Sequence, residues 1–169
     1  MKLIECVPNF SEGRRQEVMD AIVQSMKESA NVIILDVEAD ASHNRMVVTM
    51  VGEPQQVLSA MKNGARKAVE LIDLNQHQGE HPRMGAVDVV PFVPLFNATM
   101  QECNELAVEF GQWMWDELKV PVYLYAESAR IPERKRLPNI RKGEFEGLKE
   151  AIKEPDRHPD IGEPVIHPT

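Results

Sequence analysis

The sequence predicts an α/β domain of the α+β kind: a mixed β-sheet with helices mainly on one face, in the order β-α-β-β-α-β-α-β. Three observations predict it. Short β-branched runs alternate with longer stretches whose apolar residues follow helical spacing. Two of those runs, 32–37 (VIILDV) and 46–51 (MVVTMV), are joined by a link too short for a helix, so the pair is free to run antiparallel. A helix before that pair and another after it give the split βαβ pattern. No internal repeat or low-complexity tract competes with this reading.

Residues 2–7 read as the first strand, ended by Pro8 and Asn9. Across 14–29, Val18, Met19, Ile22, Val23 and Met26 form one face of a helix. The two β-branched runs follow. Glu53-Pro54 then opens a second helix, with proline where a first turn tolerates it. Its stripe is Val57, Leu58, Met61, Ala65, Ala68, Val69 and Ile72. A polar, glycine-punctuated stretch covers 75–85. The next strand is 87–93 (VDVVPFV), where Pro91 marks an edge or a strand end. Thr99 and Glu102 have capping-box spacing, and Cys103, Leu106, Ala107, Phe110 and Met114 continue a third helix. Residues 120–125 (VPVYLY) are the last predicted strand, and 144–153 a short final helix carrying Phe145, Leu148 and Ile152.

The chain has 169 residues, 43% hydrophobic and 27% charged, which suits one folded unit and excludes a disordered or fibrous one. Its net charge of −8 argues against a dedicated nucleic-acid binder. No stretch approaches 18 apolar residues and the N-terminus lacks a signal-peptide core, so no membrane span or export is expected. Two cysteines, Cys6 and Cys103, fit a reduced, cytoplasmic location. Seven of the twelve prolines lie from Pro121 onward. The division expected is a folded body over 1–153 and an extended tail over 154–169, which needs a surface to lie against.

Four segments can carry chemistry. The stretch NQHQGEHPRMG (75–85) matches H-x-x-E-H through His77, Glu80 and His81, but Gly79 and Pro82 oppose the helix that a zinc protease requires. No metal is expected. Pro82 biases His81 toward extended geometry, and Arg83 adds a permanent cation; the pairing suits proton transfer beside an anion. A plain surface histidine is the competing reading. Asp36, Glu38 and Asp40, followed by His43, Asn44 and Arg45, stand at a strand end and its connection. They can converge on one edge, or form only a solvated turn. VPNFSEG (7–13) offers Asn9 and Ser11 at a helix start, for an anion or simply for capping. Residues 130–142 (RIPERKRLPNIRK) carry six basic residues against Glu133, a field suited to a polycarboxylate or a mobile loop.

Taken together, ECVPNFSEG, the HNR of 43–45, GEHPRMGAVDVVPFVP, VPVYLY and LPNIRKGEFEGL resemble glutamate formiminotransferase, in order from Glu5 onward. The resemblance implies two α/β subdomains with folate in a channel between them. This chain is similar to the first, N-terminal subdomain, and nothing in it resembles a cyclodeaminase. It implies a transferase of histidine catabolism that passes the formimino group of N-formimino-L-glutamate to N5 of tetrahydrofolate. His81 corresponds to the family's catalytic histidine. Gly162, Glu163, Pro164, Val165, Ile166, His167, Pro168 and Thr169 match its folate-contacting segment. Asn9, Asp40, Asn44, Arg45 and Arg83 lie in or beside matching motifs and are expected at the substrates. The family continues past the segment matching Thr169 into a second subdomain. Two readings follow: one half of a transferase, completed by a C-terminal subdomain on the same gene or a separate chain, or a folate-binding or partner-binding module without turnover. With the channel face uncovered, a homodimer is expected.

Overall fold

Two prolines, Pro8 and Pro91, interrupt neighbouring strands at the same level, Pro91 in the strand at the edge of the sheet. In this computed structural model, which describes residues 1–28 and 30–168, the first predicted strand is two pieces, β1 (Leu3–Cys6) and β2 (Asn9–Phe10). The predicted strand at 87–93 is likewise split into β5 (Val87–Val89) and β6 (Phe92–Phe96). Proline has no N–H to give to a ladder, so both strands break at the same level. The Val7 N–H bridges the break to the Pro91 carbonyl at 3.3 Å.

Between β1 and β5 run α1 (Gln16–Glu28), β3 (Val32–Asp40), β4 (Arg45–Gly52) and α2 (Pro54–Leu71). β4 is the unbroken spine. One of its edges pairs with β2 at Asn9↔Val47 and with β1 at Ile4↔Gly52; the other pairs with β3 from Val32↔Gly52 to Asp40↔Arg45. β6 and β5 flank β1 and β2 on the far side. Every pairing among the described residues is antiparallel. β1 and β3 run the same way only because β4 separates them, which is the split βαβ relation the sequence predicts.

Burial alternates strictly along β4, and Met46, Val48 and Met50 face the helices together with Ile4, Cys6 and Phe10. Val18, Met19, Ile22 and Met26 of α1 and Val57, Leu58, Met61, Ala65 and Ala68 of α2 cover that face. The third helix, α3 (Met100–Leu118), starts at the capping box foreseen in the sequence. The Thr99 hydroxyl accepts from Glu102 N–H at 3.1 Å, and the Glu102 carboxylate accepts from Thr99 N–H at 3.0 Å. The opposite sheet face carries Leu3, Glu5, Asn9, Arg45, Val47, Thr49 and Val51, and no helix covers it among the described residues; Ile33 there is 65% exposed.

After α3 come α4 (Leu137–Arg141) and α5 (Glu144–Ala151), joined by 3-10 turns and extended chain. The predicted last strand at 120–125 is reduced to a single bridge, Val122↔Ile161. Pro121 removes one donor, and the segment pairs with the C-terminal tail instead of a sheet edge. Tail residues 155–157 form one 3-10 turn, and Ile161 is buried.

Candidate active site

Three of the sequence motifs interlock at the end of the sheet where β4 begins. Asn44 is the pin. Its backbone is left-handed (φ 55°), which asparagine tolerates better than most residues. Its side chain accepts from Gly13 N–H at 2.9 Å and donates to the Gln78 carbonyl at 3.0 Å. The packing leaves no room for a Cβ at two glycines: one on Gly13 would stand 2.5 Å from the Asp40 carbonyl oxygen, and one on Gly79 would stand 2.3 Å from that of His43. Ser11 completes the weave, its N–H donating to the Ala86 carbonyl at 2.9 Å and its hydroxyl to that of Gly85 at 2.7 Å. Glu12 holds the turn that leads into α1 by accepting from the N–H groups of Arg14 and Arg15, both at 3.0 Å. Burial pushes its carboxyl up, but those two N–H groups together with the Arg15 guanidinium, at 2.6 Å, hold it below the usual carboxylate range.

Arg83 is buried and every one of its N–H groups has an acceptor. Its two terminal nitrogens grip Glu146 at 2.7 and 2.6 Å, with Glu144 at 3.5 Å and the His77 carbonyl at 3.2 Å taking the remaining donors there. The Nε–H donates to His77 Nδ1 at 2.9 Å. That fixes His77 as the tautomer carrying its proton on Nε2, which donates to the Asn44 carbonyl at 2.8 Å. Burial, together with the Arg83 cation, lowers the His77 pKa against the pull of that carbonyl. The same Arg83 bond holds the Glu146 carboxyl down at about 2. Arg83 thus ties the 77–85 loop to α5.

His81 is buried, with 8% of its surface exposed, at the centre of a charged cluster. Arg45 Nη1 stands 3.3 Å from its Nδ1. On the other side of the ring, Nε2 has the Asp88 Oδ2 at 3.6 Å and Arg141 Nη2 at 3.5 Å. Asp88 is enclosed: one oxygen accepts from the N–H groups of Met84 (2.8 Å) and Gly85 (3.2 Å), the other from Arg141 at 2.7 Å. Two guanidinium groups against one carboxylate leave a positive surplus beside the imidazole. No carboxylate pairs with Arg45 among the described residues, so its charge is available to an anion.

His81, Arg45, Asn44 and Arg83 are therefore brought together from separate motifs. Asn9 lies in β2, on the same uncovered face as Arg45. Asp40 is turned elsewhere: it accepts from the His43 backbone at 3.0 Å and meets His43 Nδ1 at 2.9 Å, in solvent. The His43 backbone N–H, more than the ring, lowers the Asp40 pKa. H-x-x-E-H sits in a loop, not a helix, and no group of three or more His, Cys, Asp or Glu residues is placed to hold a metal among the described residues.

The tail runs past α3, where Gly162 (φ 94°) passes so close to Trp115 that a Cβ would stand 2.6 Å from its ring. Glu163, Pro164 and Val165 are exposed, Ile166 packs against the core, and the Pro168 carbonyl accepts from Asn75 at 2.6 Å. Thr169 lies outside the described residues. Ile166 and His167 border a cavity of about 160 Å³ lined by Phe92, Phe110, Met114, Leu124 and Tyr125, with Asp88 on its wall. Asp88 is the residue that sequence reasoning missed. Its signal was a lone carboxylate inside the otherwise apolar VDVVPFV. Arg141 was visible only as one of six basic residues in its segment.

Comparison with known proteins bears on the same residues. The family model described as "Formiminotransferase domain, N-terminal subdomain" matches residues 3–169. A formimidoyltransferase-cyclodeaminase of Rattus norvegicus is 51% identical over 161 residues, 95% of this chain and 30% of the relative. Glutamate formimidoyltransferases of Streptococcus pyogenes serotype M1 and of Thermoplasma acidophilum are each 48% identical, covering 99% and 98% of this chain and 56% and 55% of those proteins. The chain thus spans about a third to a little over half the length of these relatives. With the family matched from the first strand to the C-terminal tail, this chain belongs to the formiminotransferase N-terminal subdomain family.

Proposed function

We propose that this chain carries the proton-transfer half of a glutamate formimidoyltransferase, acting in histidine catabolism on N-formimino-L-glutamate and tetrahydrofolate. The observation that carries the reading is His81, buried between Arg45, Arg141 and Asp88 on the GEHPRMG loop. The residues fit the two substrates. Arg45 supplies a cation for a carboxylate, while Ile166 and His167 set the tail that the family resemblance assigns to folate against an apolar cavity. Asn9, on the face shared with Arg45, offers an amide to a substrate. Asn44 and Arg83 act by holding the loop. Tetrahydrofolate, when bound, supplies the nucleophilic N5. His81 takes the proton released as that nitrogen bonds to the amidine carbon and returns one to the departing glutamate nitrogen. Neither substrate passes a covalent bond to the protein.

The uncovered sheet face, with Ile33 exposed and Val93 38% exposed, supports a complete channel formed with a C-terminal subdomain. Where that subdomain is absent, the same face supports a homodimer, and a strictly monomeric light-scattering mass at high concentration excludes it. The free, buried thiols of Cys6 and Cys103 support a cytoplasmic setting.

The test is formation of 5-formiminotetrahydrofolate from formiminoglutamate, with and without the C-terminal subdomain. Turnover is expected with both halves and falls about 100-fold or more in His81→Ala. No turnover by the complemented wild type sinks the reading. Tight folate binding by the chain without turnover favours the binding module.

A further inference from the structure

The two ring nitrogens of His77 face unlike partners. On one side the Arg83 Nε–H donates to Nδ1 at 2.9 Å; on the other, Nε2 lies 2.8 Å from the Asn44 carbonyl oxygen. A guanidinium only donates and a carbonyl only accepts, so one form alone serves both: the neutral ring with its hydrogen on Nε2. A second proton puts an N–H on Nδ1 against the Arg83 N–H, two donors and two cations head to head.

The Asn44 carbonyl is where this bond reaches the chemistry. The Asn44 side chain is already held by the Gly13 N–H and the Gln78 carbonyl, and its backbone is left-handed at φ 55°. The bond from His77 fixes a third handle, the peptide plane between Asn44 and Arg45. Arg45 starts from that plane, and its Nη1 stands 3.3 Å from His81 Nδ1. We propose that His77 is a positioning residue for the transfer reaction: as a neutral ring it holds the Asn44–Arg45 peptide so that the Arg45 guanidinium stands at His81, and its protonation releases that peptide and disarms the site in acid. This rests on the transferase reading above. His77 acts through Arg45 and takes no proton from substrate.

The surroundings suit a latch that titrates. His77 is half-buried. The charged groups acting on it are Arg83 in its own loop, and Glu12 and Arg14 ahead of α1. From α5, Glu144 and Glu146 hold Arg83 itself at 3.5 and 2.6 Å. Burial first, and the Arg83 cation after it, keep the ring neutral to a lower pH than usual, against the pull of the Asn44 carbonyl. The latch is therefore closed near neutrality and opens in acid. Arg83 cannot give up its proton and is gripped by Glu146, so a charged imidazole is the partner that has to move.

Two substitutions separate the arms of the latch. A glutamine amide reaches about as far as Nε2 and donates to the Asn44 carbonyl without titrating. An asparagine amide reaches only to the level of Nδ1, so it accepts from Arg83 and leaves Asn44 unheld. With the C-terminal subdomain supplied, kcat/KM at neutral pH is expected to be lower in His77→Asn than in His77→Gln by about tenfold or more. The acid limb of kcat/KM should follow two protons in the wild type, one on His81 and one on His77, and a single proton in His77→Gln. Equal activity of the two variants, or an acid limb that glutamine leaves unchanged, overturns the proposal. Long-range 15N–1H correlation NMR of the imidazoles gives the second readout, with signals assigned by their loss in His77→Gln and His81→Gln. His77 is expected to show a protonated Nε2 and a pyridine-type Nδ1. On acidification the His81 ring signals should register a second midpoint, that of His77, which His77→Gln removes. The opposite His77 tautomer, or a single His81 midpoint in both proteins, also overturns it; a merely structural histidine lowers the melting temperature without that second midpoint. These spectra need no turnover, so their failure is distinguishable from failure of the transferase reading, which the His81→Ala assay tests.

Discussion

Arg83 holds Glu146 by two near-parallel bonds of 2.7 and 2.6 Å, across 63 residues of sequence. The fork joins the loop that carries His81 to α5, and the Phe145 N–H reinforces it by donating to the Arg83 carbonyl at 3.0 Å. A cation that looks in the sequence like a substrate clamp is thereby occupied by the protein itself. Lysine cannot copy a planar fork. Arg83→Lys should lower stability by about 1–3 kcal/mol, because Glu146, Glu144 and His77 no longer share one donor group. Glu146→Gln should cost at most about 1 kcal/mol, since that carboxylate is largely exposed. Urea denaturation decides both; equal losses would place the energy elsewhere.

Acid should weaken the fold in two stages. His77 has its pKa lowered from 6.5, so below that pH the unfolded chain binds a proton that the native loop resists, and stability falls as pH drops. Glu12 and Glu146 are lowered from 4.5, so their contribution is present above that value and is lost below it, for Glu146 down to about 2. Denaturation midpoints at pH 7.5, 5.5 and 3.5 should show both steps. A His77→Gln variant should keep the second step and lose the first.

Two glycines make a matched pair for testing the interlock. Gly79→Ala forces a methyl against the His43 carbonyl and should cost about 1–3 kcal/mol. Gly147, inside α5, has nothing within 4 Å of an added Cβ. Gly147→Ala should therefore be neutral, or stabilise by up to about 1 kcal/mol through helix propensity. Thermal melts of both variants check the contrast, and a tolerated Gly79→Ala would mean that the loops slide freely.

The tail has its own anchor. The Arg134 side chain, 8% exposed, meets the Asp160 carboxylate, 4% exposed, at 3.0 Å and also donates to the Asp156 and His158 carbonyls. Asp160 in turn accepts from Leu124 N–H at 2.8 Å. Arg134→Met strands the Asp160 charge, and breaking a buried pair in this way costs about 3–5 kcal/mol. Limited proteolysis should then cut within 155–168 before the sheet opens, and folate affinity should fall. A tail equally resistant in the variant would contradict this.

Much of the fold was legible because local chemistry and tertiary need agree. The β4 alternation, the Pro54 start of α2 and the Thr99–Glu102 box each specify in the sequence what packing later uses. VPVYLY misled because its β-branched and aromatic residues suit any extended segment, and only the tail decides which edge it meets. In the site, His81 and Arg45 could be found from their motifs. Asp88 showed only as a lone carboxylate in an apolar run; its partners come from 81, 84, 85 and 141, and no local pattern reports a convergence of that kind. Arg83 was legible as a cation, but not as one already spent on Glu146.

The Arg83–Glu146 tie also has a consequence in time. During synthesis the strands, α1, α2 and the His81 loop leave the ribosome well before α5, and the sheet can form from residues up to Phe96. Until Glu146 emerges, Arg83 is a cation without its carboxylate fork, and until Arg141 emerges, earlier in the chain, Asp88 lacks its guanidinium partner as well. A nascent chain interrupted short of α5 can therefore possess the sheet and the histidine without a settled active site. The loop becomes a site only when the last helix arrives.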